Sequence, residues 1–254
     1  QIGTEEVSNG NFSQEGSEQV TNGDFATDTK WTTNTGWTIS GGSANCDGTQ
    51  SGNTTLVQQG GIKGATINFV VGKTYKVNFD IVVTSGWISN IEVASGYDSN
   101  AITTSGNHTT YITAVSTNNR FTITANPDFI GSIDNVSVKE VGQDWNLGTG
   151  WSIGDDKVEA DGTSAFLIQG EFQSVASVKS YKIQYEVIST NGVNIRFGGG
   201  SSMFGTPTLD TSTIGIKTIY LTSNGTVRNL QFQNNLGFIG SITNISVKEV
   251  GQDW

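Results

Sequence analysis

The stretch FIGSIDNVSVKEVGQDW, Phe129 to Trp145, returns as FIGSITNISVKEVGQDW, Phe238 to Trp254, with 15 of 17 positions identical. Chance does not produce such a match, so the chain carries one unit twice. Upstream the correspondence continues. Trp31-x5-Trp37-Thr-Ile followed by Asp47-Gly-Thr answers to Trp145-x5-Trp151-Ser-Ile followed by Asp161-Gly-Thr, and TYKVNFDIV from Thr74 answers to SYKIQYEVI from Ser180. The copies abut, at residues 19–142 and 143–251. A repeat this long is an array of domains, because solenoid units are only about 20 to 50 residues.

Within each copy the apolar residues alternate with polar ones. Tyr75, Val77, Phe79, Ile81 and Val83 interleave with Lys76, Asn78 and Asp80, while Tyr181, Ile183, Tyr185 and Val187 interleave with Lys182, Gln184 and Glu186. That period of two makes a strand with one face in a core and one in water. Comparable runs at 36–46, 54–58, 66–71, 89–95, 109–125 and 132–139 are separated by Gly, Asn and Ser turns. The expected fold is all-β: two tandem β-sandwich (jelly-roll) domains of about eight strands each. In the closing strand Ile133 and Val136 fall out of phase, as do Ile242 and Ile245, which predicts a β-bulge at Asn135 and Asn244.

Composition narrows the function classes. Charged residues are 14% of the chain, against about 25% in an average soluble protein. The net charge is −10 and the 13 Lys and Arg are scattered, so the positive footprint that nucleic acid requires is missing. No apolar run approaches the roughly 20 residues of a membrane-spanning helix, and neither nucleic acid nor membrane insertion is expected. Cys46 is the only cysteine, so neither disulfides nor a thiolate metal cluster can hold the fold. For catalysis, the single His108 has no Gly-x-Ser-x-Gly elbow or motif-placed Asp beside it. Asp155-Asp156 reads as a solvated turn. No enzyme activity and no catalytic residue is expected.

The final Val250 to Trp254 repeats Val141 to Trp145, where it leads into the second copy, so residues 252–254 read as the start of a further module. Near the other end GTEEVSNGNF (Gly3 to Phe12) and GSEQVTNGDF (Gly16 to Phe25) form a small duplication. Residues 1–18 are read as a connector, the end of a preceding module or a spare first strand.

VTNGDF at a module start, the Trp-rich Gly-Trp-Thr-Ile turn and the closing IGSIDNVSVKE together resemble carbohydrate-binding modules of families four and nine, galactose-binding-like jelly rolls. The tandem form is similar to modules of marine bacteriophage structural proteins. That resemblance implies a non-enzymatic structural or adhesion module of a virion, a fibre or surface decoration. It would be located on the virion surface or extracellularly, with other virion subunits, further copies and host or environmental polysaccharide as partners. The alternative it implies is an accessory carbohydrate-binding module of a secreted polysaccharide-degrading enzyme or of a bacterial surface adhesin. Family members carry a structural calcium between the first strand and an Asp of the closing strand. Asp134 matches that Asp, and Asp24 would stand in for the acidic residue that is Ala26 here. In the second copy Thr243 replaces the Asp, and the first strand reads as shortened to Gln143-Asp144-Trp145.

Positions kept in both copies serve the fold, so ligand contacts are sought in what differs. Trp31, Trp37, Trp145 and Trp151 pair across the copies, as does Tyr111 with Tyr220, and all are assigned to packing. Trp87 has no counterpart. It sits in a Gly/Ser turn where an indole face could stack on a sugar ring. Tyr97 and His108, on other loops of the same copy, complete the first candidate set. In the second copy the candidates are Arg196, Met203 and Phe204, around the loop Gly198-Gly199-Gly200.

Overall fold

A computed structural model describes residues 2–170, 178–197, 204–223 and 229–251. Every regular element among them is a strand, so none of them forms a helix that could cross a membrane. The chain divides into two compact units that do not simply follow one another. One is continuous, Glu15–Val141, and is called the inserted module below. The other, the split module, combines Gln1–Gln14 with Gly142–Trp254.

Strand β1 (Ile2–Glu5) belongs to the split module. The inserted module runs β2 (Glu15–Glu18), β3 (Thr32–Thr33), β4 (Trp37–Ser40), β5 (Ser43–Asp47), β6 (Thr54–Gln59), β7 (Thr74–Ser85), β8 (Ile88–Val93), β9 (Gly96–Asp98), β10 (Gly106–Thr113), β11 (Arg120–Ala125) and β12 (Ile130–Val141). The split module resumes with β13 (Trp145–Leu147), β14 (Trp151–Gly154), β15 (Lys157–Asp161), β16 (Ala165–Gln169), β17 (Ser180–Thr190), β18 (Ile195–Phe197), β19 (Thr208–Leu209), β20 (Gly215–Thr222), β21 (Leu230–Asn234) and β22 (Ile239–Val250). Each module is two antiparallel sheets. In the inserted module the larger sheet has the order β10-β7-β12-β5-β4, with β2 also on β12, and the smaller is β3-β6-β11-β8-β9. The split module repeats this as β14-β15-β22-β17-β20, with β1 on β22, and β13-β16-β21-β18-β19.

The alternation read from the sequence builds the cores. Tyr75, Val77, Phe79 and Ile81 of β7 are buried, as are Tyr181, Ile183, Tyr185 and Val187 of β17. All four paired tryptophans are buried, Trp31 completely. The bulge lies where the phase break put it: Asn135 and Asn244 both take φ of 51°, and the β12–β7 register slips between Asp134 and Ser137. The run at 66–71 is not a strand. Ile67 and Phe69 still point into the core, but the backbone there is held by side chains. Asn119 Oδ1 accepts from Phe69 N (2.9 Å) and Tyr75 Oη accepts from Val70 N (2.9 Å).

Residues 1–18 are where the structure departs most from expectation. Residues 1–14 form the first segment of the second copy, and Glu15–Glu18 already belongs to the first. The duplication therefore marks two first strands written one after the other, each closing a different module. Offset by 13 residues, the two make the same contacts. Glu5 Oε1 accepts from Val247 N (2.7 Å) and Val7 N (3.1 Å), and Glu18 Oε1 accepts from Val138 N (2.7 Å) and Val20 N (3.0 Å). Ile245 N donates to Gly10 O (2.9 Å), as Val136 N does to Gly23 O (2.9 Å). Trp145 Nε1 donates to Asn9 O (3.1 Å) and Trp31 Nε1 to Asn22 O (2.9 Å). Phe12 then packs on Trp145 and Phe25 on Trp31, with ring centroids 5.2 and 5.0 Å apart. The glycines are obligatory here for contact rather than for φ. A Cβ on Gly10 or on Gly23 would stand 1.9 Å from the carbonyl oxygen of Ile245 or Val136. The shortened strand expected at Gln143-Asp144-Trp145 is thus unnecessary, because Ile2–Phe12 supplies it. Residues 252–254, read as the start of a further module, lie outside the described residues.

Candidate functional site

The outer face of the inserted module's larger sheet carries an open cleft of about 530 Å³. Its floor is the pleat itself. Asp80 and Val82 of β7 and Ser132 and Asp134 of β12 point outward in alternation with buried Ile81 and Ile133, and Asp134 stands opposite Asp80 in the ladder. One wall is the β4–β5 turn at Gly41-Gly42, and the other is Ser105-Gly106-Asn107 at the start of β10.

Amides set the state of the floor. Asn135 Nδ2 donates to Asp80 Oδ2 (2.9 Å) and Asn107 Nδ2 to Asp80 Oδ1 (3.1 Å). Together, Asn135 foremost, they hold the Asp80 carboxyl below its usual range, so it is ionised at neutral pH. Asp134 Oδ1 accepts from the backbone of Asn135 (2.6 Å), leaving its second oxygen open to the cleft, and Val82 supplies an apolar surface that is 55% exposed. Fixed acceptors, amide groups and one aliphatic patch suit hydroxyl-rich, uncharged ligands with apolar ring edges. The alternation of polar residues along β7 is the sequence signal for this cleft; the walls come from distant segments and left no local pattern.

The residues singled out in the sequence do not gather into one site. Trp87 is 40% exposed just before β8, its backbone tied to Asn126 by Trp87 N to Oδ1 (2.9 Å) and by Asn126 N to Trp87 O (3.0 Å). Tyr97, 59% exposed, lies in β9 opposite Glu92, five residues along β8 from Trp87 and so about 16 Å away. Neither Tyr97 nor His108 is on a loop. His108 is half-buried in β10, stacked on Phe79 at 6.0 Å with Nε2 2.9 Å from Thr104 O. It lines a separate 310 Å³ hollow with Asp98 and Asn100.

In the split module, Arg196 is half-buried in β18 beside Gln233. Phe204 is core and not a platform, because it packs edge-on against Tyr181 (5.6 Å) and on Phe197 (5.4 Å). Met203 and the loop Gly198-Gly199-Gly200 lie outside the described residues. Tyr220, assigned to packing, is instead 65% exposed on β20, the last strand of its sheet. Asp155-Asp156 forms the β14–β15 turn, with the left-handed φ of 47° and 57° that a two-residue hairpin demands.

A hard cation needs six to eight oxygen ligands, of which the resemblance points to the carboxylates of Asp24 and Asp134. Asp24 Oδ1 accepts from Ala26 N and Asp134 Oδ1 from Asn135 N, each a local turn contact. Among the described residues no three His, Cys, Asp or Glu side chains converge.

The chain matches no protein-family profile and no curated protein. Among solved structures it is similar to the N-terminal CBM22-1-CBM22-2 tandem domain from Paenibacillus barcinonensis Xyn10C, at 9% identity and a TM-score of 0.37, covering 94% of this chain and 99% of that one. It is also similar to the tandem CBM51 modules of Sp3GH98, the family 98 glycoside hydrolase from Streptococcus pneumoniae, at 5% identity and a TM-score of 0.26, covering 82% and 84%. Both likenesses are distant, and the two-sheet architecture above stands on the strand pairings of this chain.

Proposed function

We propose that the chain is a non-catalytic module that binds a neutral polysaccharide weakly through the cleft on the inserted module, and that it serves in the surface of a bacteriophage virion as fibre or decoration. The cleft carries the binding half of this reading. Asp80, Asp134 and Asn107 present fixed hydrogen-bonding groups around exposed Val82, and hydroxyls of a glycan chain can exchange water for them while a ring edge covers the valine. The tandem form, with the motifs NGDF at the head and FIGSIDNVSVKEVGQDW at the joint, supports the virion half through its resemblance. It supports equally an accessory module of a secreted polysaccharide-degrading enzyme or a bacterial adhesin, and the neighbouring genes separate the two. Repetition along a fibre would raise a weak affinity through effective concentration.

Electrophoresis through gels containing single polysaccharides tests the site. We expect retardation of the native protein to be lost in Asp134→Ala and in Ser132→Trp, which fills the cleft, and kept in Trp87→Ala. Loss in Trp87→Ala alone would move the site to the end loop, and no retardation across glycan panels would leave a spacer role only.

A further inference from the structure

The groove that holds Ile2–Phe12 is filled by a segment separated from the rest of its module by the entire inserted module, and it holds that segment less completely than the equivalent groove holds Glu15–Phe25. Three differences lie at matched positions. Glu15 is bracketed by Lys76 Nζ (2.8 Å) and Lys139 Nζ (3.0 Å), whereas its counterpart is Ile2, 55% exposed, opposite Val250 as Glu15 is opposite Val141. The lysines are still present: Lys248 reaches only Glu5, at 3.9 Å, and Lys182, next to it in the ladder, has no ion-pair partner among the described residues. Gln58 clamps Thr21 through both its groups, accepting from N (2.8 Å) and donating to O (2.7 Å). Among the described residues Gln169 only donates, to Ser8 O (2.6 Å), and its Oε1 is buried without a partner. Asn22 Nδ2 donates to Thr27 O and Thr29 O, while Asn9 Nδ2 is buried with no partner among the described residues. Buried unpaired polar atoms favour leaving the site, since water satisfies them outside it.

We propose that the split module's groove is an exchangeable strand-binding site and that a second copy of this chain is the partner, its residues 2–12 entering the groove in place of the chain's own. The contacts that fix the strand are to backbone and to Trp145, Gln169, Thr243, Ser246 and Lys248 of the same module, and a copy from another molecule makes them all. The interface is self-complementary in the sense of a domain swap. The strand's first position is where affinity is unused, because an acidic residue there would meet Lys182 and Lys248.

The test uses the full chain. Light and isotope-heavy preparations are mixed, partly denatured, refolded together at high concentration and read by native mass spectrometry. Mixed dimers are expected, and they should become at least several-fold rarer when both preparations carry Gly10→Val, whose strand seats in no groove. In parallel, the full chain carrying Gly10→Val, whose own strand cannot seat, is titrated with a fluorescent peptide of residues 1–14. The anisotropy should rise, more tightly so with Glu at the second position, and not at all with a peptide carrying Gly10→Val. Peptide capture without mixed dimers would overturn the second copy as partner. Absence of both, or mixed dimers indifferent to Gly10→Val, would overturn the exchangeable groove. Glycan binding through the other module is untouched by these variants, so the two readings fail separately.

Discussion

The inserted and split modules share a lock and differ in a face. At the lock, Glu5 and Glu18, Gly10 and Gly23, Phe12 and Phe25, and Trp145 and Trp31 occupy superposable roles. On the outer face of the larger sheet the centre is partly kept, with Asn244 donating to Glu186 as Asn135 does to Asp80, but the surroundings of the cleft are not. Asn107 stands opposite Asp80 in β10–β7, but at the same register Ile216 stands opposite Glu186. Asp134 becomes Thr243, which is buried and donates to Asp156 O (2.7 Å), and Gly41-Gly42 becomes Asp155-Asp156. Where the inserted module has a polar cleft, the split module shows Ile214 and Ile216, about 70% exposed each. Closing the sandwich constrains sequence strongly, while the turn and the outer strand that wall the sheet face are free to diverge.

The lock comparison breaks most sharply at the glycines. Gly23→Val drives a side chain into Val136 O and should cost the inserted module about 4 kcal/mol. Gly10→Val should cost the split module a similar amount, leaving the other transition in place. Differential scanning calorimetry that showed both transitions falling together in either variant would deny the modules their independence. A smaller effect should come from the clamp. Gln58→Ala abandons two backbone groups and should cost about 2 kcal/mol, whereas Gln169→Ala, losing one bond and removing an already unpaired oxygen, should cost about 1 kcal/mol or less. Equal losses in urea unfolding would mean that the unpaired Gln169 oxygen carries no penalty.

The smallest effect is a pH dependence confined to one module. Hydrogen bonds to Lys76 and then Lys139 lower the folded-state pKa of Glu15 below that of the unfolded chain. The folded state therefore gains stability above the unfolded value of about 4.3, and loses it as pH falls through the lower folded value. Glu15→Gln should cost about 1 kcal/mol at pH 7 and nothing measurable once both states are protonated. Ile2 provides no such dependence at the matching position, so a Glu15→Gln difference that persisted in acid would locate its effect elsewhere.

Much of this fold was legible because a period of two needs no partner to be recognised. β7, β17 and the bulges at Asn135 and Asn244 all follow from which residues must face a core. The run at 66–71 misled for the same reason, since Ile67 and Phe69 obey the period while side chains, not a neighbouring strand, hold their backbone. The connection between Ile2–Phe12 and β22 was out of reach, because adjacency in sequence favours pairing with the nearest module and only the duplication hinted otherwise. Sites were harder still. Trp87, Tyr97 and His108 are distinctive as residues, yet the strand order sends them to different surfaces, whereas the cleft is made of ordinary Asp, Asn, Ser and Val that become a site only when β5, β12, β7 and β10 lie side by side.

The split arrangement also sets a schedule for synthesis. Glu5 and Val247, bonded in the fold, are 242 residues apart. At about 5–20 residues per second the first strand waits on the order of 10–50 s for its place to exist. During that wait the inserted module, complete from Glu15 to Val141, can finish folding. Val7 and Phe12, both destined for a core, remain in water on the nascent chain. The interval between making the first strand and making β22 is thus when neighbouring nascent chains on one message have their best opportunity to trade strands.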